Sequence, residues 1–379
     1  MSDRKAQLSV FLDLLGAELD VPEHVDRELR AAYDDLAEFL REDPLRAGAE
    51  VYPQGSRRIG TMIRPVKEDD DYDVDLVFRR NILKTSTTQQ RLKEWVGEQL
   101  RAFVELKRKR RPATAPTLSE GSRCWTLTYP SGFHLDVLPA IPNDGPSPTD
   151  SILITDREVR LWQVSNPRGY ANWFRARSER SFLAERARLA KSRGVEIEAI
   201  PEDDVKTPLH RAVQLLKRHR DIRFDGPSDD KPASILITTL AGLAYAHGDS
   251  LYAAIGHVFG HLLEGIEEHD GVIWVGNPVD PEENFADRWR AHPERAQSFL
   301  RWARDAKADF ERAGLAPGLD EVAKSLGAAF GVGAAKRAAV RLGEAARTQR
   351  ERGSLRISSS GTLGRSGSRP VKDHTFYGS

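Results

Sequence analysis

Asp71-Tyr-Asp-Val-Asp-Leu-Val-Phe78 is the stretch from which the rest of the chain is read. Tyr72, Val74, Leu76 and Phe78 alternate with Asp73, Asp75 and Val77, a period of two that predicts a strand. At ~3.3 Å per residue the two aspartates share one face about 6–7 Å apart. Like charges held side by side on a strand repel. A hard divalent cation between them removes that cost, since Mg²⁺ takes one or two carboxylates and leaves its other positions to water and phosphate oxygens.

A pair of such ions needs at least one more carboxylate. Gly132-Phe-His-Leu-Asp-Val-Leu138 supplies it, because alternation leaves His134 and Asp136 opposite Leu135 and Val137. If this strand pairs with the first at ~4.8 Å, the carboxylates of Asp73, Asp75 and Asp136 converge on two ions. Upstream, Gly55-Ser56 permits a tight turn and offers N–H groups and a hydroxyl to phosphate oxygens. Taken singly, a Gly-Ser pair is an ordinary turn and an Asp-x-Asp triplet a solvated loop or cap. Those bland readings do not account for all three features in this order.

Around this centre the chain divides into regions of different pattern. Leu8, Phe11, Leu12, Leu15 and Leu19 fall at helical spacing, and a second helix is expected from Pro22 to about Arg41, so residues 1–48 read as bracing helices. Residues 49–168 read as an α+β catalytic lobe, with strands at 50–53, 72–78, 123–129 and 133–138 and a helix near 88–107. Residues 169–346 read as an all-helical lobe, with helices at 169–191, 207–222, 233–247, 251–268, 284–313, 319–330 and 333–350 and a connector at 271–283. From Arg347 to Ser379 the chain is Ser-, Gly- and Arg-rich, with seven Lys/Arg against two Asp/Glu, and reads as a flexible basic tail. Its end, His374-Thr-Phe-Tyr-Gly-Ser379, is either a docking peptide or a frayed terminus.

Composition narrows the class. With 379 residues the chain suggests two lobes and a cleft, and 57 basic against 57 acidic residues advertise no global nucleic-acid or membrane partner. The start lacks the apolar core of a secretory signal, and no run approaches ~18 uncharged apolar residues, so a cytoplasmic location without membrane contact is expected. Cys124 is the sole cysteine, which excludes an internal disulfide; in the strand-like run 123–129 it reads as a packed core thiol rather than a nucleophile.

At this point the residues resemble the nucleotidyltransferase superfamily pattern: Gly55-Ser56, then Asp73-Val-Asp75, then Asp136. More narrowly the chain resembles the bacterial CD-NTases, cyclic-oligonucleotide synthetases of anti-phage signalling related to animal cyclic GMP-AMP synthase and oligoadenylate synthetase. The runs that carry this are Gln54-Gly-Ser-Arg-Arg-Ile-Gly-Thr61, His134-Leu-Asp-Val-Leu-Pro139, Ser165-Asn-Pro-Arg-Gly-Tyr-Ala-Asn-Trp-Phe174, Ala212-Val-Gln-Leu-Leu-Lys-Arg-His-Arg-Asp221 and Asn277-Pro-Val-Asp-Pro-Glu-Glu-Asn-Phe285. The resemblance implies a polymerase-β-like lobe joined to a helical lobe with the active site in the cleft. It also implies two Mg²⁺ ions (or Mn²⁺) on Asp73, Asp75 and Asp136, and nucleoside triphosphate substrates, ATP among them, contacted by Gln54, Gly55, Ser56, Lys217 and Ser234. The expected product is a cyclic di- or trinucleotide second messenger. In some such systems a ubiquitin-like ligase joins the synthetase's C-terminus to a target, and Tyr377-Gly-Ser379 would suit that transfer.

Other signals are weaker. His257 and His261 are four apart, yet position 258 is Val rather than the glutamate of a zinc hydrolase, so a packing helix is expected. Lys107 to Arg111 are five successive basic residues that read as a solvated helix end before a phosphate or RNA site. There is no P-loop motif and no evident DNA activator. Rival readings are transfer of nucleotides into a linear oligonucleotide or onto RNA or protein, and an inactive nucleotide-binding scaffold.

Overall fold

The computed structural model describes residues 2–42, 49–67, 69–145, 149–156, 162–226, 228–247, 250–357, 363–364 and 369–371. Two helices open the chain, α1 (Ser2–Leu19) and α2 (Glu23–Glu42). The apolar stripe Leu8, Phe11, Leu12, Leu15 and Leu19 buries α1 against later helices, whereas Leu29, Leu36 and Leu40 bury α2 against the sheet. Successive helices thus serve two different cores.

The first core forms under β1 (Glu50–Pro53), the one-turn helix α3 (Gly55–Arg58), β2 (Tyr72–Arg79), α4 (Gln89–Arg110), β3 (Thr117–Glu120), β4 (Trp125–Tyr129), β5 (Phe133–Pro142), β6 (Ile152–Ile154) and β7 (Gln163–Ser165). The sheet runs β1-β2-β5-β4-β3, with β6 on β5 and β7 on β6. β2 and β5 are parallel, in a register that sets Asp73 opposite His134 and Asp75 opposite Asp136. Val74, Leu76, Phe78, Leu135 and Val137 point into the core beneath α2 and α4. The other face begins polar and turns apolar further along, where Val77, Leu138 and Ala140 close against Ile152 and Ile154. That switch confines the acidic positions to one end of the two strands.

The second core is built from α5 (Pro167–Arg193), α6 (Pro208–Arg223), α7 (Ser234–Ala244), α8 (Leu251–His261), the hairpins β8 (Glu267–His269)–β9 (Val272–Trp274) and β10 (Gly276–Asn277)–β11 (Asp280–Asn284), then α9 (Pro293–Leu315), α10 (Leu319–Phe330) and α11 (Val332–Glu351). Phe174, Phe299, Trp302 and Phe330 fill its centre. The bounds expected for the helices on either side of the connector differ from those observed. The 251–268 helix stops at His261, and the 271–283 connector and the start of the 284–313 helix are paired strands and a short turn. The local cause is Asp270-Gly271, both at positive φ (52° and 77°), the pair a tight hairpin needs. Pro293 then takes the first turn of α9, where its missing N–H costs nothing.

Smaller differences also have local causes. Helix 233–247 ends at Ala244, where Tyr245 turns extended, and strand 123–129 begins only at Trp125. The tail expected from Arg347 is helical to Glu351, then places short strands at Arg356–Ile357, Leu363–Gly364 and Arg369–Pro370. The proposed docking and conjugation end, 374–379, lies outside the described residues. Cys124 is half-buried beside Asp136 instead of packed in the core, and burial and that carboxylate push its thiol up to about 11. Lys107 to Arg110 end α4 and Arg111 caps it, where cations complement the helix dipole; all are exposed except Lys107, which is half-buried and pairs with Asp35. His257 and His261 stack at 3.9 Å, and no third ligand joins them among the described residues. Among those residues no helix is long and apolar enough to cross a membrane.

α6 ties the two cores together. Its Arg211 Nη1 donates to both Asp20 oxygens (2.8 and 3.0 Å) and to Gln214 Oε1, and Gln214 donates to Asp20 and to the Met62 carbonyl. Lys217 reaches the Thr61 carbonyl and Arg218 the Arg64 carbonyl, while Lys206, just ahead of α6, donates to the Gly60 carbonyl. The segment from 60 to 65, which carries the chain from α3 toward β2, is thus held by the buried Lys217 and Arg218 and the half-buried Lys206. Arg211→Met removes one charge and leaves Asp20 without its guanidinium partner, though Gln214 still donates to it. A loss of about 2–3 kcal/mol is expected in urea denaturation, discounted from the fully buried case because Asp20 keeps some solvent. An unchanged midpoint would mean that this network carries no net stability.

Candidate active site

Four polar side chains stand on one end of the β2–β5 face. Donor atoms of Asp73, His134 and Asp136 all lie within 4.8 Å of one another. His134 Nε2 is 3.3 Å from Asp73 Oδ1, and Thr126 Oγ1 on β4 donates to Asp136 Oδ1 at 2.5 Å. Asp75 falls outside that tight trio, for its carboxylate is tucked under the Gly55 turn. Gly55 has φ +56°, and a Cβ there would sit 2.4 Å from Asp75 Oδ2. Only glycine fits both the conformation and the contact. The turn is pinned to the strand by Gln54 N donating to the Asp75 carbonyl at 2.9 Å. The first amides of α3 have no carbonyl behind them, so they and the Ser56 hydroxyl are available to an anion.

These groups border a cleft of about 870 Å³, at the upper end of the ~300–1,000 Å³ typical of ligand sites. Gln54, Gly55, Ser56, Asp73 and Asp75 line it from the sheet side, Lys217 and Ser234 from the helical side. Asp136 lies behind this lining and meets the cluster through Asp73 and His134. Ser234 opens α7 and accepts from Arg220 Nη1 at 2.7 Å. Lys217 is buried, and burial followed by the nearby Arg220 pushes its amine down to about 7. Its charge is costly until an anion arrives. His134 is the member that motif reading placed on the face without giving it a role; the alternation around Asp136 was its only signal.

Electrostatics test the fit to a divalent cation. Burial first, then the facing Asp73 and Asp136, push the Asp75 carboxyl up to about 7. Asp73 in turn leans on His134, whose imidazole is raised by that hydrogen bond. A mostly oxygen donor set with unrelieved negative charge and one imidazole fits Mg²⁺ or Mn²⁺. Because the folded carboxyl of Asp75 lies above its unfolded value of 3.8, the folded chain holds an extra proton between those values. Metal-free stability therefore falls as pH rises from about 4 through about 7. A cation that claims the carboxylate expels the proton. Adding Mg²⁺ at about pH 6 should release protons, read by calorimetry in buffers of different ionisation heat, and Asp75→Asn should remove that release. Equal release from both proteins would place the cation elsewhere.

A nucleotidyltransferase with a polymerase-β-like lobe fits this arrangement, in which the acidic strand pair and the Gly-Ser turn share one wall of the cleft and a helical lobe forms the other. The model of the Second Messenger Oligonucleotide or Dinucleotide Synthetase domain matches residues 6–178. A c-di-GMP synthase of Roseivirga ehrenbergii is 30% identical across 100% of this chain and 99% of its own length. The cyclic dinucleotide synthase CdnG of Bradyrhizobium diazoefficiens is 26% identical over 73% of this chain and 70% of its own. The chain belongs to this family of synthetases, the bacterial CD-NTases. Solved structures share the fold: CdnG of B. diazoefficiens in complex with GTP (TM-score 0.67, 21% identity, 89% of this chain and 99% of that one), and the Vibrio cholerae cyclic AMP-GMP synthase DncV with a linear intermediate (TM-score 0.56, 16% identity, 83% and 92%).

Proposed function

We propose that this chain joins two guanosine triphosphates into a cyclic dinucleotide that serves as a second messenger in anti-phage defence. The observation that supports the chemistry is the clustering of Asp73, His134 and Asp136 on one strand face, with Asp75 on the same face beside them under the Gly55-Ser56 turn. Guanosine is favoured over the ATP that the resemblance implied because the full-length relative is a c-di-GMP synthase and CdnG is described with GTP. Asp73, Asp75 and Asp136 would hold two Mg²⁺ or Mn²⁺ ions, which when bound neutralise triphosphate charge and acidify the attacking hydroxyl.

The chain's own residues position the reactants. The Gly55-Ser56 amides and hydroxyl and the Lys217 amine receive the donor triphosphate from opposite walls of the cleft, with Ser234 beside them. Asp136, oriented by Thr126 behind the cleft lining, would complete the carboxylate group that activates the ribose hydroxyl. The hydroxyl oxygen bonds to the α-phosphorus, its proton leaves to the carboxylate group, and the bond to the β-phosphate breaks to release pyrophosphate. A second round closes the ring. Catalysis of this kind rests on positioning and charge, with no covalent enzyme intermediate.

Purified protein incubated with Mg²⁺ and labelled GTP, alone and mixed with the other triphosphates, tests this by mass spectrometry after phosphatase treatment. A phosphatase-resistant cyclic di-guanosine product is expected. Label in RNA, in protein or only in linear products would favour the rival transfers, and no turnover would favour a scaffold.

A further inference from the structure

The β10–β11 hairpin brings one acidic side chain into the cleft that the chemistry above does not use. Glu283 is half-buried and lines the cavity together with Asn277, Tyr170 and Phe285. Its Oε2 accepts from Asn277 Nδ2 at 2.7 Å, while Oε1 has no protein donor and the carboxylate no ion pair among the described residues. Asn277 is buried and anchored at its other end, its Oδ1 accepting from Val279 N. The hairpin is held on both sides: Asn284 Oδ1 accepts from Val275 N and Ala286 N, and its Nδ2 donates to the Ile273 carbonyl. Glu283 is therefore a fixed acceptor beside the edge-to-face pair Tyr170–Phe285, ring centroids 6.0 Å apart. Burial raises its carboxyl above the ordinary range, a cost that incoming N–H donors would relieve.

An ionised carboxylate only accepts hydrogen bonds. Among the nucleobases, guanine alone presents two adjacent donors, N1–H and the N2 amino group, on its Watson–Crick edge. Adenine and cytosine set an acceptor nitrogen beside their amino group, and uracil flanks its one N–H with carbonyls; each would meet the carboxylate with a repelling lone pair. We propose that Glu283, positioned by Asn277, reads the guanine base of one of the two substrate nucleotides and sets the preference for guanosine over adenosine. This rests on the cyclic dinucleotide reading of the cleft and adds the side chain that selects the base.

The test is equilibrium binding of non-hydrolysable GTP, ITP and ATP analogues with Mg²⁺ to the full chain and to Glu283→Gln. One hydrogen bond to a charged group is worth about 10- to 100-fold in affinity. The wild-type chain should favour the guanosine analogue over the adenosine analogue by at least about tenfold, with inosine, which lacks the N2 amine, between them. Glu283→Gln should lower guanosine binding by about 10-fold or more, leave adenosine binding within about threefold, and keep its melting temperature. An equal loss for both analogues would assign Glu283 to the ribose or to hairpin integrity and overturn the proposal, as would unchanged guanosine preference in the variant. Failure of the wild-type chain to bind any triphosphate analogue would instead sink the reading of the cleft itself.

Discussion

Replacing Asp73 and Asp75 together by asparagine is expected to cut product formation by more than about 10³-fold without unfolding the chain. Both carboxylates stand on the strand face that borders the cleft, and neither is needed to fill the core, which β2 reaches through Val74, Leu76 and Phe78. Removing them also relieves like-charge repulsion, since the Asp75 carboxyl is already driven up to about 7 by burial and its neighbours. The melting temperature of the metal-free variant at about pH 8 should therefore equal or exceed that of the parent. Turnover by liquid chromatography and melting by circular dichroism give both readouts. Retention of a tenth of the parent's rate would show that these acids do not carry the chemistry.

Gly55→Ala is expected to cost both stability and rate. A left-handed conformation at φ +56° charges an L-residue about 1–2 kcal/mol. The larger effect is local, because the new Cβ would stand 2.4 Å from Asp75 Oδ2 and one of the two must move. A displacement of about 1 Å in a reacting group can lower turnover about 10²-fold. A steady-state assay should show a fall in kcat of that order, with a melting temperature lowered by a few degrees. A variant with kcat near the parent's would mean that the contact between turn and carboxylate positions nothing.

The acidic strand was legible because a two-residue period is a local property: Tyr72 to Phe78 alternate whatever surrounds them. The same holds for His134 to Leu138, and for the helical stripe of α1, whose five marked residues are all buried. The β8–β9 hairpin was equally local, written in Asp270-Gly271, but the apolar run before it reads as a longer helix. The resemblance pointed to Lys217, but the burial of the cations before and on α6 was not legible. A lysine or arginine in a charged run reads as solvated, yet Lys217 and Arg218 are buried and Lys206 is half-buried because they find the carbonyls of residues 60–65, far away in the chain.

By itself, then, the amino-acid order determined which side chains share a face on each strand and where a glycine turn must stand, since both follow from backbone geometry over a few residues. The parallel register that sets Asp75 against Asp136, the placing of Cys124 beside that carboxylate, and the cleft that unites Gly55 with Lys217 and Glu283 were decided only by tertiary structure. Pairings between distant segments are chosen by the packing of the whole, and no local period records them.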